Sequence, residues 1–317
     1  MLVSQISKLT GRASGLLAKI LEINPLFQYA QFKLDFSTAI HVKDSDTFTS
    51  TAARAENQAA QKDAQKPSTA VNNLALYSRE IEIDDLRKLD ATLGGGDQAL
   101  KLFADRRLGG LAVKLGKEIQ AHMLAGTNAD SQLLGLSTFV KDASAAGQTA
   151  ALGFTVAELA AMNKNVSLQL NTTANQDALM EMIEQEMANI PGANAIICNT
   201  SLGSRLTTIA RRHGASGQSL NSFGIPVATF NSIPIIKLPS DCISQTESDG
   251  TNSDCTSLYI ARFAEELGVA WSTNSGFYFQ DFQDAEGTPS GKARMQFFLN
   301  LACERTDALR RLSRIRL

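Results

Sequence analysis

The sequence predicts an α+β fold in which one long helix is backed by strands placed before and after it in the chain. Three observations carry this. Leu100, Phe103, Leu108, Leu111, Leu115, Ile119 and Met123 recur every three to five residues, the spacing of one helical face. "ANAIICNTSLGSRLTTIARRHG", residues 193–214, reads as strand, turn and helix, and a proline-bearing hairpin follows it. Strand-like runs bracket both, at 74–85 and again towards the C-terminus. The composition suits one large core or two smaller ones: 317 residues, 44% hydrophobic and 20% charged. A net charge of −2 argues against a dedicated nucleic-acid binder, whose affinity would rest on clustered Lys and Arg.

Residues 1–24 carry Val3, Ile6, Leu9, Leu16, Leu17, Ile20 and Leu21 near helical spacing. Such a helix packs on its own domain or docks on a neighbour; the two look alike. From Phe27 to Val42 the pattern turns towards β alternation. Residues 49–73 are polar, too poor in large apolar side chains to order themselves, and longer than an ordinary connection. With "LALYSREIEIDD" beyond them they suggest a two-stranded excursion whose polar tip lies near Arg54 to Lys66. "GGGD", residues 94–97, reads as a helix start with Asp97 as cap. The helix then runs to Ala125, about 40 Å at 1.5 Å per residue, and stops at Gly126–Thr127–Asn128. A helix that long with one apolar stripe is the backbone of a flat, elongated domain.

Residues 129–154 are a Gly-, Ala- and Ser-rich transition. "TVAELAAMNKNVSLQL" and "NQDALMEMIEQEMANI" are expected to be two helices, the second with its glutamates on a solvated face. In "FGIPVATFNSIPIIKLPSD", residues 223–241, three prolines stand in or beside strand-like runs, which is edge-strand chemistry. The turn falls near Phe230–Asn231–Ser232. "SLYIARF" and "GVAWST" add strands, and the chain closes as a strand running into Arg305, Arg310, Arg311, Arg314 and Arg316.

The sequence shows no recognisable catalytic or cofactor motif. "GTPSGKA" at 287–293 has three residues between its glycines where a phosphate loop needs four, and Ala293 replaces the magnesium-binding hydroxyl. Gly94–Gly96 follows no strand, so it is no dinucleotide fingerprint. His41, His122 and His213 are scattered without metal-ligand spacing. No membrane-length apolar run occurs in the sequence. Cys198, Cys242, Cys255 and Cys303 form no C-x-x-C and read as a reduced set; a Cys242–Cys255 bridge across the polar loop stays open. No cofactor, metal or catalytic residue is assigned.

Taken in order, four stretches resemble the tailed-bacteriophage major capsid protein, with its Hong Kong 97-type fold. They are the polar excursion leading through "LYSREIEIDDLRKLD" into the long helix, "LAGTNADSQLLGL" at 124–136, "ANAIICNTSLGSRLTTIARR", and "TFNSIPIIKLPSD". "FFLNLACERTDALRRLSRI" is similar to the family's terminal strand. Ser232 stands where the family usually has glycine. The resemblance implies an N-terminal arm (1–40), an extended loop (41–85), a peripheral domain with a spine helix (86–150), an axial domain with the hairpin (151–275) and a return to the peripheral domain (276–317).

It also implies a structural, non-enzymatic subunit of a virion shell, a homo-oligomer of hexamers and pentamers assembled in the bacterial host cytoplasm. The implied partners are a separate scaffolding protein, a portal, decoration proteins as an open question, and packaged double-stranded DNA in weak non-specific contact. Lys8, Arg12 and Lys19 are the expected DNA-facing positions. Arg54, Glu56, Lys62, Lys66, Arg310, Arg311 and Arg314 are the expected subunit-interface residues, the last three pairing with acids at subunit junctions. Two alternatives stand beside this: an encapsulin-type nanocompartment shell, whose subunit usually has an N-terminal helix, and, more remotely, a cytosolic α+β enzyme. Hairpins completed by neighbours would explain the prolines.

Overall fold

The structure, a computed structural model, describes residues 12–34, 39–43, 68–72, 74–129, 132–142, 148–221, 224–274, 277–284 and 290–317. In chain order the elements are α1 (Arg12–Ile23), α2 (Pro25–Tyr29), β1 (Phe32–Leu34), β2 (Ala39–Lys43), β3 (Ser68–Asn72), β4 (Ala75–Asp84) and α3 (Asp85–Ala125). Then come α4 (Leu136–Phe139), α5 (Val156–Ala161), β5 (Asn163–Gln169), α6 (Thr173–Ala188), β6 (Ala195–Asn199) and α7 (Thr200–Arg212). The rest is strand: β7 (Ser216–Leu220), β8 (Pro226–Phe230), β9 (Ile233–Leu238), β10 (Cys255–Ala261), β11 (Val269–Thr273), β12 (Phe277–Asp284), β13 (Ser290–Cys303) and, after a short 3-10 turn, β14 (Leu309–Arg316).

Two sheets and a ribbon result. In the first sheet β13 is the hub: it pairs antiparallel with β4, β12 and β11, and β1 lies parallel to β11. The second has seven strands in the order β5-β14-β10-β6-β9-β8-β7. β2 and β3 pair antiparallel from Ala39↔Asn72 to Lys43↔Ser68, so the stem of the polar excursion is two-stranded. Its tip lies outside the described residues.

Four expectations change. First, the long helix begins at Asp85, not at Asp97, and spans 41 residues, about 60 Å. Glycine inside a helix costs about 1 kcal/mol relative to Ala, and a helix of this length carries Gly94–Gly96 without breaking. Second, "NKNVSLQ" is the edge strand β5, because α5 ends at Ala161. Third, Pro25 at the first turn of α2 keeps Phe27 helical, and the strand starts only at Phe32. Fourth, the expected single return over 276–317 splits. β13 completes the first sheet, whereas β14 crosses into the second and lies between β5 and β10.

α1 packs along α3. Leu17, Ile20 and Leu21 are fully buried there, against Leu108, Ala112, Leu115 and Ile119. Gly109 and Gly116 let the helices approach: a Cβ on Gly116 would meet Asn24 Nδ2 and lie 3.1 Å from Ile20 Cγ2. Gly116→Ala is therefore expected to loosen α1, read as faster proteolysis of residues 12–30, and Asn24→Ala is expected to restore part of the protection. Equal protection of Gly116→Ala and parent would refute the close packing.

The centre of the second sheet is buried on both faces. β6 and β10 are fully buried, and their side chains alternate between two cores. Ile197 and Tyr259 face the core shared with α3, while Ile196, Leu258 and Ile260 face α6 and α7. Asn199 caps α7 through Leu202 N–H at 2.7 Å, as strand, turn and helix required. The hairpin turn is Asn231–Ser232, with φ of 46° and 69°, the two-residue turn that matches strand twist.

The prolines have a local explanation. Pro226 opens β8, and Pro234 precedes the β6 pairing, which starts at Ile235. β7 covers β8, so the hairpin is not the sheet's edge; β7 and β5 are. The expectation that neighbours complete this hairpin is corrected accordingly.

Candidate functional site

The arginines expected at subunit junctions lie on β14, and alternation alone cannot place them all. Leu309, Leu312 and Ile315 are buried, three residues apart rather than two. A register shift on both sides of β14 and a left-handed Arg314 (φ 64°) mark a bulge that turns successive side chains.

Arg311 is 4% exposed and sits opposite Tyr259, its guanidinium 5.5 Å from the ring centre. Its donors are widely used. Nε donates to Ser257 Oγ at 2.9 Å, Nη1 to the carbonyls of Val140 (2.7 Å) and Ser137 (3.3 Å), and Nη2 to Glu247 Oε1 at 2.7 Å. Ser257 Oγ is 2.6 Å from both Glu247 oxygens. Glu247 is fixed in turn by backbone pairing with Cys255. One side chain thus ties α4, the polar loop after β9 and two strands together. Burial alone would lower the Arg311 pKa, but Tyr259 and the Glu247 carboxylate raise it on balance. Burial pushes the Tyr259 hydroxyl up to about 12. The cluster holds a fixed cation.

Arg314 Nε lies 3.1 Å from Asp142 Oδ1, and Ser313 Oγ joins Asp142 to Asn165. Arg310 Nε is 3.6 Å from Glu186, which also holds Lys164 at 3.1 Å. Within the chain, then, each of these three arginines already has an acid beside it. Arg54, Glu56, Lys62 and Lys66 lie outside the described residues, as do Lys8 and the Gly287 end of "GTPSGKA". Lys19 is exposed on α1. The acids Asp142 and Glu247 were not singled out from sequence; they stand 172 and 64 residues from their arginines.

The loop holding Glu247 carries its own anchor. Asp249 accepts from the Asn252 side chain and from the backbone N–H groups of Asn252 and Thr251, which holds its carboxyl at about 2 against an ordinary 3.8. A depressed carboxylate stabilises the fold above 3.8 and loses that contribution as pH falls through about 2. Carboxyl NMR titration is expected to give Asp249 a midpoint near the lower value, and a midpoint near 3.8 would refute the turn.

All four cysteines are free and buried. Among the described residues no group of three His, Cys, Asp or Glu is placed to hold a metal, and no helix is long and apolar enough to cross a membrane. A cleft of about 310 Å³ between α2 and β8–β9 is lined by Tyr29, Ile225, Val227 and Ile235, with Glu22 and Lys237.

No family model and no curated protein matches the chain. Solved structures do. The capsid of the native GTA particle aligns over 92% of this chain and 90% of its own, with a TM-score of 0.58 at 11% identity. The capsid of the Cyanophage P-SCSP1u covers 90% and 86%, at TM-score 0.51 and 13% identity. The chain has the Hong Kong 97-type fold. The holo-SrpI encapsulin complex from Synechococcus elongatus PCC 7942 is similar too, at TM-score 0.54, 14% identity and 92% and 86% coverage. In this Hong Kong 97-type fold, α3 corresponds to the spine helix that the sequence resemblance implied. The solved neighbours named here are two capsids and an encapsulin complex.

Proposed function

We propose that this chain is the structural, non-catalytic subunit of a closed icosahedral shell, the major capsid protein of a tailed bacteriophage. The observation that supports it is likeness along about nine-tenths of the chain to capsid subunits of phage and phage-like particles. The subunits assemble as hexamers and pentamers in the host cytoplasm around a separate scaffolding protein, with a portal at one vertex. Closure removes the exposed strand edges β5 and β7. The division into arm, extended loop, peripheral and axial domains is kept as part of this proposal, with β14 assigned to the axial sheet. Arg54, Glu56, Lys62 and Lys66 of the loop contact adjacent subunits.

One observation favours the encapsulin reading as a second: α1 packs on the spine helix of its own chain and does not reach outwards. Light scattering of purified protein is expected to give large uniform particles; a monomer or dimer under all assembly conditions would refute both readings. Nuclease-protected DNA inside shells made in the native host decides for the phage, and shells filled with protein cargo decide for the nanocompartment.

A further inference from the structure

We infer that the solvent face of α3 is a binding surface for double-stranded DNA, engaged through the phosphate backbone. This rests on the reading of the chain as a genome-enclosing shell subunit. Arg106, Lys114 and Lys117 are exposed on α3, and at 100° per residue they fall within an arc of about 80°. Gly110 lies in the same arc, and a Cβ there would meet nothing within 4 Å, so the row is open. Lys19 of α1 extends it sideways: its Nζ lies 2.8 Å from where a Gly109 Cβ would stand.

None of these four cations has an ion-pair partner among the described residues. The contrast with β14 is sharp, since Arg310, Arg311, Arg314 and Arg316 are each paired with an acid. In a chain of net charge −2 an unpaired row is not a by-product of excess positive charge. The acids on this part of α3 lie elsewhere: Asp105 is about 100° round from Arg106, and Glu118 is taken by Arg79.

The row complements a line of negative charge. Arg106 to Lys117 spans about 16 Å, a length over which a duplex presents about ten phosphates. No aromatic side chain stands among Arg106, Gly110, Lys114, Lys117 and Ala121, so there is no platform on which unpaired bases could stack. That selects duplex backbone over single strands. The expected DNA-facing positions of the arm are thereby joined, through Lys19, to the solvent face of α3.

The test is the salt dependence of binding to a short mixed-sequence DNA duplex, by fluorescence anisotropy on purified full-length protein. Each phosphate contact contributes about 0.9 to the slope of log K against log salt, so combining Arg106→Gln, Lys114→Gln and Lys117→Gln is expected to lower it by about 2 to 3. Each single variant lowers it by about 0.9, which keeps the test valid if the triple variant folds poorly. Arg211→Gln, an exposed cation on α7, is expected to leave the slope unchanged. An unchanged slope in the row variants, an equal drop in Arg211→Gln, or no duplex binding by the parent at low salt overturns the inference. Light scattering on the same preparations separates the two proposals: parent shells with an unaltered row slope leave the shell reading intact, whereas no shells at all removes it.

Discussion

Arg311→Ala is expected to destabilise the isolated subunit by about 3 to 5 kcal/mol, the usual result of removing one partner of a buried ion pair. The Arg311 and Glu247 side chains are 5% and 15% exposed, so the glutamate would be left charged with little water to replace its partner. The carbonyls of Val140 and Ser137 and the Ser257 hydroxyl lose a donor at the same time. Arg311→Lys keeps the charge but not the planar fork, and is expected to recover less than half of the loss. Arg311→Met combined with Glu247→Gln should be milder than Arg311→Ala alone, because no bare charge remains. Urea unfolding of unassembled protein measures all three. A normal midpoint for Arg311→Ala, with weakness only in assembled shells, would return the residue to the subunit junction and refute the intrachain assignment.

Gly135→Ala is expected to be nearly as damaging, at about 3 kcal/mol, the upper end of ordinary overpacking. A Cβ at Gly135 would press on Gly126 N and lie 2.8 Å from both His122 O and Leu124 C. These are backbone atoms of the last turn of α3, which cannot swing aside as a side chain would. Gly135 N–H also donates to Gly126 O at 2.9 Å, while Gly126 N–H closes the helix on His122 O at 2.8 Å. Moving one strand of that crossing disturbs the helix end, Tyr77 Oη, which accepts from Leu133 N–H, and Asn300 Oδ1, which accepts from Leu134 N–H. Gly110→Ala, in open space on the same helix, is the matched control and is expected to be neutral or slightly stabilising. Thermal unfolding in which Gly135→Ala and Gly110→Ala melt alike would show that the crossing tolerates a methyl group.

Local chemistry made much of this fold legible. The Asn199 cap, the hairpin turn at Asn231–Ser232 and the stop at Gly126 are each decided by a few neighbouring residues. The errors arose where a distant segment decides. Gly94–Gly96 read as a boundary because glycine disfavours helix, yet the cost is small beside that of breaking a long helix. β5 has one buried residue, Val166, too little alternation to announce a strand whose partner is β14. The arginines of β14 were visible, but their acids were not. Glu247 and Asp142 sit in polar loops where any carboxylate looks solvated, and only the folded chain carries them to β14. The row on α3 was readable from helical spacing once its start was known.

β14 is an inner strand of the second sheet although it is formed by residues late in the sequence. Asn165 waits for Ser313, 148 residues further on, and Ser257 waits 54 residues for Arg311. During synthesis β5 and the β14-facing side of β10 therefore stand open after most of the subunit exists. Contacts of such separation form slowly, and unfinished sheets invite wrong pairing. The same lateness works as a timer. A nascent chain lacks the strand that seats Arg311 between α4 and the Glu247 loop, so its second sheet is unfinished. In the shell proposed above, competence to associate would then be withheld until β14 has been made, which would keep half-made chains out of a growing lattice.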